Sequence, residues 1–318
     1  MYFIGIDLGG TNIAAGIVDE NYNIVLKGST PTLVNRAPEL IVKDMAKLCL
    51  SLLEKAGIDI SEIAHVGIAA PGSINPETGV IEYSNNIPLL NFPISEILRK
   101  YLPIKEVYLE NDANAAALGE AVAGAAKGKN ISVMVTLGTG VGGGVVINGH
   151  IYSGFNYAGA ELGHTVIEYN GRPCTCGRKG CFEAYSSATA LVNLTKEKLS
   201  ETKDTIMWEM CDGDISKANA RIAFSAMKKG DKAGKEVVDT YISYLACGIT
   251  NLINIFQPEV LLIGGGVCNE KEYLTAPLID IVNKDQYTRN QPIKTEIKVA
   301  ELGNDAGIVG AAAIGRQK

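Results

Sequence analysis

The sequence contains one segment twice, and this repetition limits the fold more than any other feature. Residues 6–25 (IDLGGTNIAAGIVDENYNIV) align without gaps to residues 135–154 (VTLGTGVGGGVVINGHIYSG). Each copy predicts a strand, a glycine-rich turn, a second strand, a polar turn and a third strand. A second pair, residues 109–126 and 300–315, repeats a strand end, Asn-Asp and a helix of small residues. Two related halves predict a duplicated fold with a cleft between them.

Predicted strands alternate with predicted helices along the rest of the chain. The short apolar runs YFIGID, HVGIAA, VYLEN and EVLLI indicate strands, as does EIKVAEL. Apolar spacing predicts a helix over residues 38–56, with Pro38 at its start and Gly57 after its end. Further helices are predicted over 113–126, 237–256 and 306–315. This alternation is typical of an α/β protein with a partly parallel sheet, and 318 residues favour two domains.

Composition and charge argue against several classes of partner. A formal net charge of −6 argues against a nucleic-acid-binding surface, which would need a stripe of basic residues. No run of 18 apolar residues occurs, and the strand-like start MYFIGIDLGG does not resemble a secretory signal. We therefore expect no nucleic-acid partner, no membrane association and a cytoplasmic location. Seven cysteines without a secretory signal fit a reducing compartment, where clustered cysteines more often bind metal than form disulfides.

Two glycine-rich turns at predicted strand ends are candidate anion sites. Glycine permits positive φ and close backbone approach, so consecutive N–H groups can converge on an anion. Gly138, Gly140 and Gly143 also fit G-x-G-x-x-G, but a β-rich segment follows instead of the helix that a dinucleotide site requires. Tight hairpins without a ligand are the alternative. The residues concerned are Asp7, Gly9, Gly10 and Thr11 in the first copy and Gly138, Thr139 and Gly140 in the second.

A third glycine run follows the predicted strand EVLLI and comprises Gly264, Gly265 and Gly266. Glycines at a strand end allow a helix to pack closely, and they also allow a ligand to approach the backbone. The sequence favours neither role over the other.

The two repeated Asn-Asp pairs supply candidate catalytic carboxylates. Asp112 follows a predicted strand and opens a helix, where Asp serves well as an N-cap and where its charge is favoured. An ionised carboxylate there can also accept the proton of a hydroxyl group. Asp305 holds the repeated position, but the Gly-containing helix after it suits packing or nucleotide contact better. Asp112 and Asp305 are rival candidates for the catalytic carboxylate, and the residues alone barely separate them.

A turn-rich loop carries three of the seven cysteines. His164, Cys174, Cys176 and Cys181 have the spacing H-x9-C-x-C-x4-C, and three thiolates with one imidazole complete a tetrahedral structural zinc site. Free surface thiols are the alternative. Glu161 and Glu183 flank this loop, so we expect zinc to position polar groups of a site. The other cysteines, at 49, 211, 247 and 268, are expected to be small buried hydrophobes.

The motifs DLGGT, ENDANAA, LGTGVGGG, AGAELGH and CTCGRKGCFEAYSSATAL resemble the ROK family of bacterial sugar kinases and sugar-responsive repressors, and within it the glucokinases. The resemblance extends over essentially the whole chain. It implies a two-lobed, actin-like (ribonuclease H-like) ATPase fold with the active site in the interlobe cleft. One departure is Ala160, where many relatives carry Gly.

The resemblance also implies roles for individual residues. Asp112 would be the base, and the first and second glycine turns would hold phosphates. Gly264, Gly265 and Gly266 would lie near adenosine. The zinc ligands would be His164, Cys174, Cys176 and Cys181, and the sugar-binding residues would be Asn111, Asp112, Glu161, His164 and Glu183.

The function expected from the resemblance is phosphoryl transfer from Mg-ATP to O6 of a hexose, with glucose as the first candidate and Asp7 near the Mg²⁺. A kinase for N-acetylmannosamine, N-acetylglucosamine, fructose or allose is the rival. A non-catalytic sugar sensor is disfavoured, because the phosphate motif begins at residue 7 and leaves no room before it for a DNA-binding helix pair.

The resemblance further suggests a homodimer, or else a tetramer. We expect a small domain of residues 1–111, completed by a C-terminal helix at about 304–318. A large domain of residues 112–303 would carry the zinc loop at 164–181.

Overall fold

The computed structural model describes residues 1–84 and 87–317, which form strands and helices in alternation. The strands are β1 (Tyr2–Leu8), β2 (Asn12–Asp19), β3 (Ile24–Pro31), β4 (Ile63–Ala70), β5 (Ser73–Asn75), β6 (Val80–Ser84), β7 (Leu89–Phe92), β8 (Val107–Asn111), β9 (Ile131–Leu137), β10 (Val141–Ile147), β11 (His150–Ile151), β12 (Val260–Gly264) and β13 (Glu296–Val299). The helices are α1 (Pro38–Ala56), α2 (Ile94–Tyr101), α3 (Asp112–Ala123), α4 (Glu183–Ser186), α5 (Ala188–Glu201), α6 (Met207–Met210), α7 (Ile222–Lys228), α8 (Lys232–Phe256), α9 (Glu272–Asp285) and α10 (Ala306–Ile314).

The two copies of the repeated segment form equivalent parts of two five-stranded sheets. The first sheet has the order β3-β2-β1-β4-β8, and the second has the order β11-β10-β9-β12-β13. In the first sheet β1 pairs with β2 antiparallel and with β4 parallel, and in the second β12 pairs with β13 parallel. The duplication predicted from the sequence is therefore present in the strand order itself.

Local sequence signals explain the ends of several helices. Helix α1 runs from Pro38 to Ala56 as predicted, and Gly57 ends it with φ +66. Helix α8 begins at Lys232, five residues before the predicted start, because the Asp231 carboxylate accepts a hydrogen bond from Gly234 N–H over 2.7 Å. The three-stranded sheet β5-β6-β7 was not predicted, since its strands are too short to show a clear period. Six helices were also not predicted, namely α2, α4–α7 and α9.

A row of glycines lets α10 lie directly on the first sheet. Gly5 is paired with Gly16 on one side and with Gly67 on the other. A Cβ atom at Gly5 would lie 1.9 Å from Ile308 O, and one at Gly67 would lie 1.8 Å from Ala311 O. A larger residue at these positions would collide with the backbone of α10, so the glycines allow a close approach. Helix α10 is buried along its whole length.

The substitution Gly67→Ala is expected to destabilise the protein by about 3 kcal/mol or more, because the added methyl group must displace the backbone of α10. Urea unfolding measures the loss. Gly266→Ala is the matched control, since a Cβ atom there meets nothing within 4 Å. Equal unfolding midpoints for the two variants would contradict the close packing of α10 on β4.

The chain divides into two compact units. The first comprises Met1–Ser132, Gly144–Ala160 and Ala300–Lys318, and the second comprises Val133–Gly143 and Glu161–Val299. The sequence-based boundary after Asn111 separates α3 from the first unit, whereas the structure includes this helix there. The physical reason is close packing of α3 on α10, where a Cβ atom at Gly310 would lie 1.7 Å from Ala115 O.

Over residues 1–84 and 87–317, none of the helices is both long enough and apolar enough to cross a bilayer.

Candidate active site

The first glycine turn connects β1 to β2 and presents two adjacent backbone donors. Gly9 N–H closes the turn by donating to Asn12 O over 3.0 Å. The N–H groups of Gly10 and Thr11 donate to no residue that the structure describes. Adjacent unpaired amides in a turn are the geometry that binds anions.

Asp7, at the end of β1, is a carboxylate in an unfavourable environment. Burial, and to a lesser extent the negative charge of Asp112, together raise its pKa from 3.8 to about 6. Its Oδ2 lies so close to α10 that a Cβ atom at Gly307 would be 2.5 Å away. Among the described residues, none donates a hydrogen bond to this carboxylate. A cation placed here would stabilise its charge.

Asn111, and not Asp112, is the N-cap of α3. The Asn111 Oδ1 accepts hydrogen bonds from Ala113 N–H at 2.9 Å and Asn114 N–H at 3.2 Å. Its Nδ2 donates to Gly72 O over 3.2 Å, so the whole amide group is engaged in holding the helix start. The N-cap role considered for Asp112 is therefore wrong, because the residue before it already performs that role.

Asp112 is the first residue of α3, and its carboxylate opens to solvent. Desolvation by the protein around it raises its pKa, while a hydrogen bond from Ala113 N–H over 2.9 Å acts in the opposite direction. A carboxylate with a raised pKa is a better proton acceptor than an ordinary one.

Asp305 differs from Asp112 although the sequence places both at repeated positions. Lys27 Nζ lies 2.6 Å from Asp305 Oδ1 and forms a salt bridge with it. The rival carboxylate therefore already has a cationic partner, whereas Asp112 has none in the described ranges.

The second glycine turn connects β9 to β10 and repeats the geometry of the first. Gly138 N–H donates to Gly140 O over 3.0 Å. Among described residues, no acceptor pairs with the N–H groups of Thr139 and Gly140. Val141 N–H donates to Glu183 Oε2 over 3.0 Å, so this turn holds a carboxylate that lies 42 residues later in the chain.

In the third glycine run the structure shows the packing role that the sequence left open. Gly265 has φ +91, and a Cβ atom there would lie 2.4 Å from Leu137 O, so this position needs glycine for packing. Gly266 faces open space. Gly264 is the buried last residue of β12.

The cysteine loop brings its four predicted zinc ligands together. His164 Nδ1 is 3.7 Å from Cys174 Sγ, and Cys176 Sγ is 3.6 Å from Cys181 Sγ. All four ligand atoms lie within 4.8 Å of one another, and the cysteines form no disulfide. Around a tetrahedral zinc ion with Zn–S distances of 2.3 Å, neighbouring ligand atoms are about 3.8 Å apart. The donor set therefore fits zinc.

The pKa values of the cysteines show what such an ion would have to overcome. Burial raises the pKa of Cys181 to about 12 and also raises the pKa of Cys174. The hydrogen bond from Arg178 N–H lowers the pKa of Cys176. Two of the three thiols are thus held protonated in the absence of a cation.

Glu161 and Glu183 lie on either side of this loop in the sequence, and they differ in their exposure and in their hydrogen-bond partners. Glu161 is exposed, and its main-chain oxygen accepts a hydrogen bond from His164 N–H over 3.0 Å. Glu183 Oε1 lies 3.5 Å from Cys174 Sγ and 3.3 Å from Thr175 Oγ1. Glu183 therefore connects the cysteine loop to the second glycine turn. Ala160 has φ +63, a conformation that favours glycine.

Two features around the loop escaped the sequence analysis. The Tyr185 hydroxyl accepts a hydrogen bond from Arg172 N–H over 2.6 Å, and its ring stacks on Tyr244 at 4.4 Å between centroids. No local pattern signals a contact between such distant residues. Cys247 lies on the exposed side of α8, so the expectation that it is buried was wrong, while Cys49, Cys211 and Cys268 are buried as expected.

The duplicated fold and the candidate site agree with the class of sugar kinases and sugar-responsive repressors that the motifs resemble. Residues 3–318 match the model of the ROK family, and the chain belongs to that family. It is 39% identical over 317 residues to a glucokinase of Thermotoga maritima, covering 99% of this chain and 97% of that protein.

Solved structures give the same result. A ROK family glucokinase of Streptomyces griseus in complex with glucose and AMPPNP is 31% identical, with a TM-score of 0.82 and full coverage of both chains. A ROK hexokinase of Thermus thermophilus is 32% identical, with a TM-score of 0.84, covering 98% of this chain and 97% of that one. These matches confirm the predicted actin-like α/β fold.

Proposed function

We propose that this protein transfers the γ-phosphoryl group of ATP to O6 of glucose. The observation that carries the proposal is the full-length similarity to glucokinases, one of them solved with glucose and an ATP analogue. It is supported by the raised pKa of the carboxylate of Asp112, an exposed residue, and by two glycine turns whose outer amides find no acceptor among the described residues. Phosphoryl transfer needs little beyond positioning and charge stabilisation, which these groups can supply.

In this mechanism Asp112 accepts the proton of the sugar hydroxyl. The helix start does not depend on its side chain, because Asn111 provides the cap. Its raised pKa makes its ionised form a stronger base than that of an ordinary aspartate. Asp112 therefore orients O6 and takes its proton as the phosphoryl group is transferred.

The sugar ring would be held by Glu161, His164 and Glu183. With His164 Nδ1 facing the thiols, Nε2 is the nitrogen available to a sugar hydroxyl. The side-chain amide of Asn111 is engaged with Ala113, Asn114 and Gly72. We therefore assign Asn111 to the sugar site because its backbone holds the neighbouring Asp112 in position. Hydroxyl groups that miss these partners would leave buried polar groups unpaired, which gives the site its selectivity.

The phosphates of ATP would be bound by the amides of the two glycine turns. Gly266 faces open space and can lie against adenosine, with Gly264 and Gly265 shaping the strand end behind it. Asp7 fits a magnesium site, because its half-buried carboxylate has no cationic partner among residues 1–84 and 87–317. A Mg²⁺ ion bound there would neutralise phosphate charge.

The zinc ion would be structural and would hold His164 and Glu183 in place. We expect one zinc per chain in protein purified without chelators, measured by elemental analysis. Cys176→Ser is expected to lower the zinc content and to reduce the thermal stability, because one ligand of a closed four-ligand site is lost. Cys247→Ser, which changes an exposed cysteine outside the loop, is the matched control. Full activity and stability in zinc-free protein would refute this role.

A product-linked assay with Mg-ATP tests the proposed function. The sugars are glucose, mannose, fructose, allose, N-acetylglucosamine and N-acetylmannosamine. The expected result is the highest kcat/KM for glucose. A higher value for an N-acetylated sugar would keep the reaction and replace the substrate, and no turnover with any sugar would overturn the proposal.

We further propose that the protein is a homodimer and that it is located in the cytoplasm. Free thiols grouped for zinc favour a reducing compartment. Sedimentation at micromolar concentration tests the assembly, and a monomeric mass would contradict it.

A further inference from the structure

Thr32, directly after β3, holds the first glycine turn from behind. Its hydroxyl donates to Gly9 O over 2.6 Å, and its N–H donates to Thr11 O over 2.9 Å. Thr32 is fully buried, with 0% of its surface exposed. In a planar trans peptide the C=O and N–H groups point in opposite directions. A hydrogen bond that fixes Gly9 O therefore also fixes the direction of Gly10 N–H, which is unpaired among the described residues.

Thr189, in the first turn of α5, does the same for the second glycine turn. Its hydroxyl donates to Thr139 O over 2.7 Å. The preceding residue, Ala188, donates its N–H to Gly138 O over 2.8 Å. By the same peptide geometry these two bonds fix the directions of Gly140 N–H and Thr139 N–H. Those are the two amides of this turn that find no acceptor in the part of the chain that the structure describes.

The two arrangements correspond although their threonines lie outside the aligned repeat. In each turn a threonine hydroxyl from another segment donates to a backbone carbonyl. The N–H group of that same peptide is one of the amides that find no acceptor among the described residues. Within the described ranges neither hydroxyl is hydrogen-bonded to a charged side chain, and neither is adjacent in sequence to the turn that it holds. The shared feature is thus the orientation of amide donors, which matters to an anion and not to the strands.

We propose that Thr32 and Thr189 are positioning residues for nucleotide binding, each aiming the amides of one glycine turn at the phosphates. The inference rests on the proposed function, since it takes ATP as the ligand of the turns. A preorganised donor binds more tightly than one that must be ordered on binding, so loss of either hydroxyl weakens nucleotide affinity. The sugar site does not use these hydroxyls, and its affinity is unaffected.

The test replaces each threonine by valine, which keeps the shape and removes the hydroxyl. Calorimetry with the Mg complex of AMPPNP measures the dissociation constant directly, without turnover. Thr32→Val and Thr189→Val are each expected to raise it by about 5-fold, the equivalent of one ordinary hydrogen bond. The double variant is expected to raise it by about 25-fold, since distant sites combine independently. Steady-state assays should show the same increase in KM for ATP with little change in KM for glucose.

Two controls separate positioning from stability. Thr32→Ser and Thr189→Ser retain the hydroxyl and should bind the nucleotide like the original protein. Thr295→Val removes another threonine hydroxyl that donates to a backbone oxygen, that of Pro258 over 2.7 Å, and should leave nucleotide affinity unchanged. Thr189 is exposed, so its valine variant should fold even if Thr32→Val does not.

The outcomes also separate this inference from the proposed function. If the unmodified protein binds the nucleotide but phosphorylates no sugar, the function is wrong, and the calorimetric comparison still decides the role of the threonines. Unchanged nucleotide affinity in both valine variants would overturn the inference, as would an equal loss in the serine variants. An unmodified protein that binds no nucleotide would overturn both.

Discussion

Replacing Asp112 by asparagine is expected to lower kcat for sugar phosphorylation by about 10²–10⁴-fold, the usual contribution of a positioned general base. The dissociation constant of the sugar should change little, because asparagine keeps the shape and can still hydrogen-bond to a hydroxyl. Helix α3 should be unaffected, since its cap is Asn111. Product-linked kinetics give kcat, and calorimetry gives the affinity.

Asp305→Asn is the matched control for this prediction, because the two aspartates hold repeated positions in the sequence. Asp305 is paired with Lys27 at 2.6 Å on the surface, so its loss should change turnover by less than about 3-fold and stability by less than about 1 kcal/mol. Near-normal turnover in Asp112→Asn together with a large loss in Asp305→Asn would exchange the two assignments.

The pH dependence of turnover follows from the same carboxylate. The base works when ionised, and burial raises the pKa of Asp112, so the rate should fall at a pH higher than that at which an ordinary aspartate becomes protonated. Protonation of Asp7, whose pKa is about 6, should add to this loss on the acidic side. The decline in kcat/KM below neutral pH should persist in Asp305→Asn.

Replacing Asp7 by asparagine is expected to stabilise the ligand-free protein and to inactivate it. Burial and Asp112 raise the pKa of Asp7 from 3.8 to about 6, so the folded state holds the proton more tightly than the unfolded state does. The charged form therefore destabilises the fold, by about 1–3 kcal/mol above pH 6. Turnover should fall by about 10²–10³-fold, because a charge that is proposed to hold Mg²⁺ is lost.

Urea unfolding without Mg²⁺ or nucleotide, at several pH values, measures the gain in stability. As pH rises from 4 to 6 the unmodified protein loses stability at this site, so the advantage of Asp7→Asn should be absent below pH 4 and complete above pH 6. A variant that is less stable at pH 7.5, or equally stable at every pH, would show that Asp7 is not a source of electrostatic strain.

Together these two aspartates make the charge of the candidate site unfavourable for folding. Two carboxylates in one compact unit raise the pKa of the more buried one, and neither has a cationic partner in the described ranges. Such repulsion is unfavourable for folding and useful for binding a cation and a hydroxyl.

Much of this architecture was predictable from local sequence. Alternating and continuous apolar runs gave the strands of both sheets, and Pro38 and Gly57 marked the ends of α1. The gap-free repeat predicted the duplication that the two sheet orders show. The cysteine spacing placed four ligand atoms in one cluster. The apolar runs, the helix ends and the cysteine spacing are local signals, and the repeat is visible by direct comparison of two segments.

Tertiary structure alone decided which chemically similar residues differ in environment. Lys27 neutralises Asp305, from which it is separated by 278 residues, whereas Asp112 has no cationic partner in the part of the chain that the structure describes. Asn111 takes the cap, Glu183 reaches the second glycine turn, and Thr32 and Thr189 hold the carbonyls of the two turns. Sequence patterns record periodicity and turn chemistry, whereas the partner of a side chain depends on how distant segments pack. The sequence by itself therefore determined the strands of the two five-stranded sheets, the helices α1, α3, α8 and α10 and the residue types available for the site. Packing determined the partners of each of those residues.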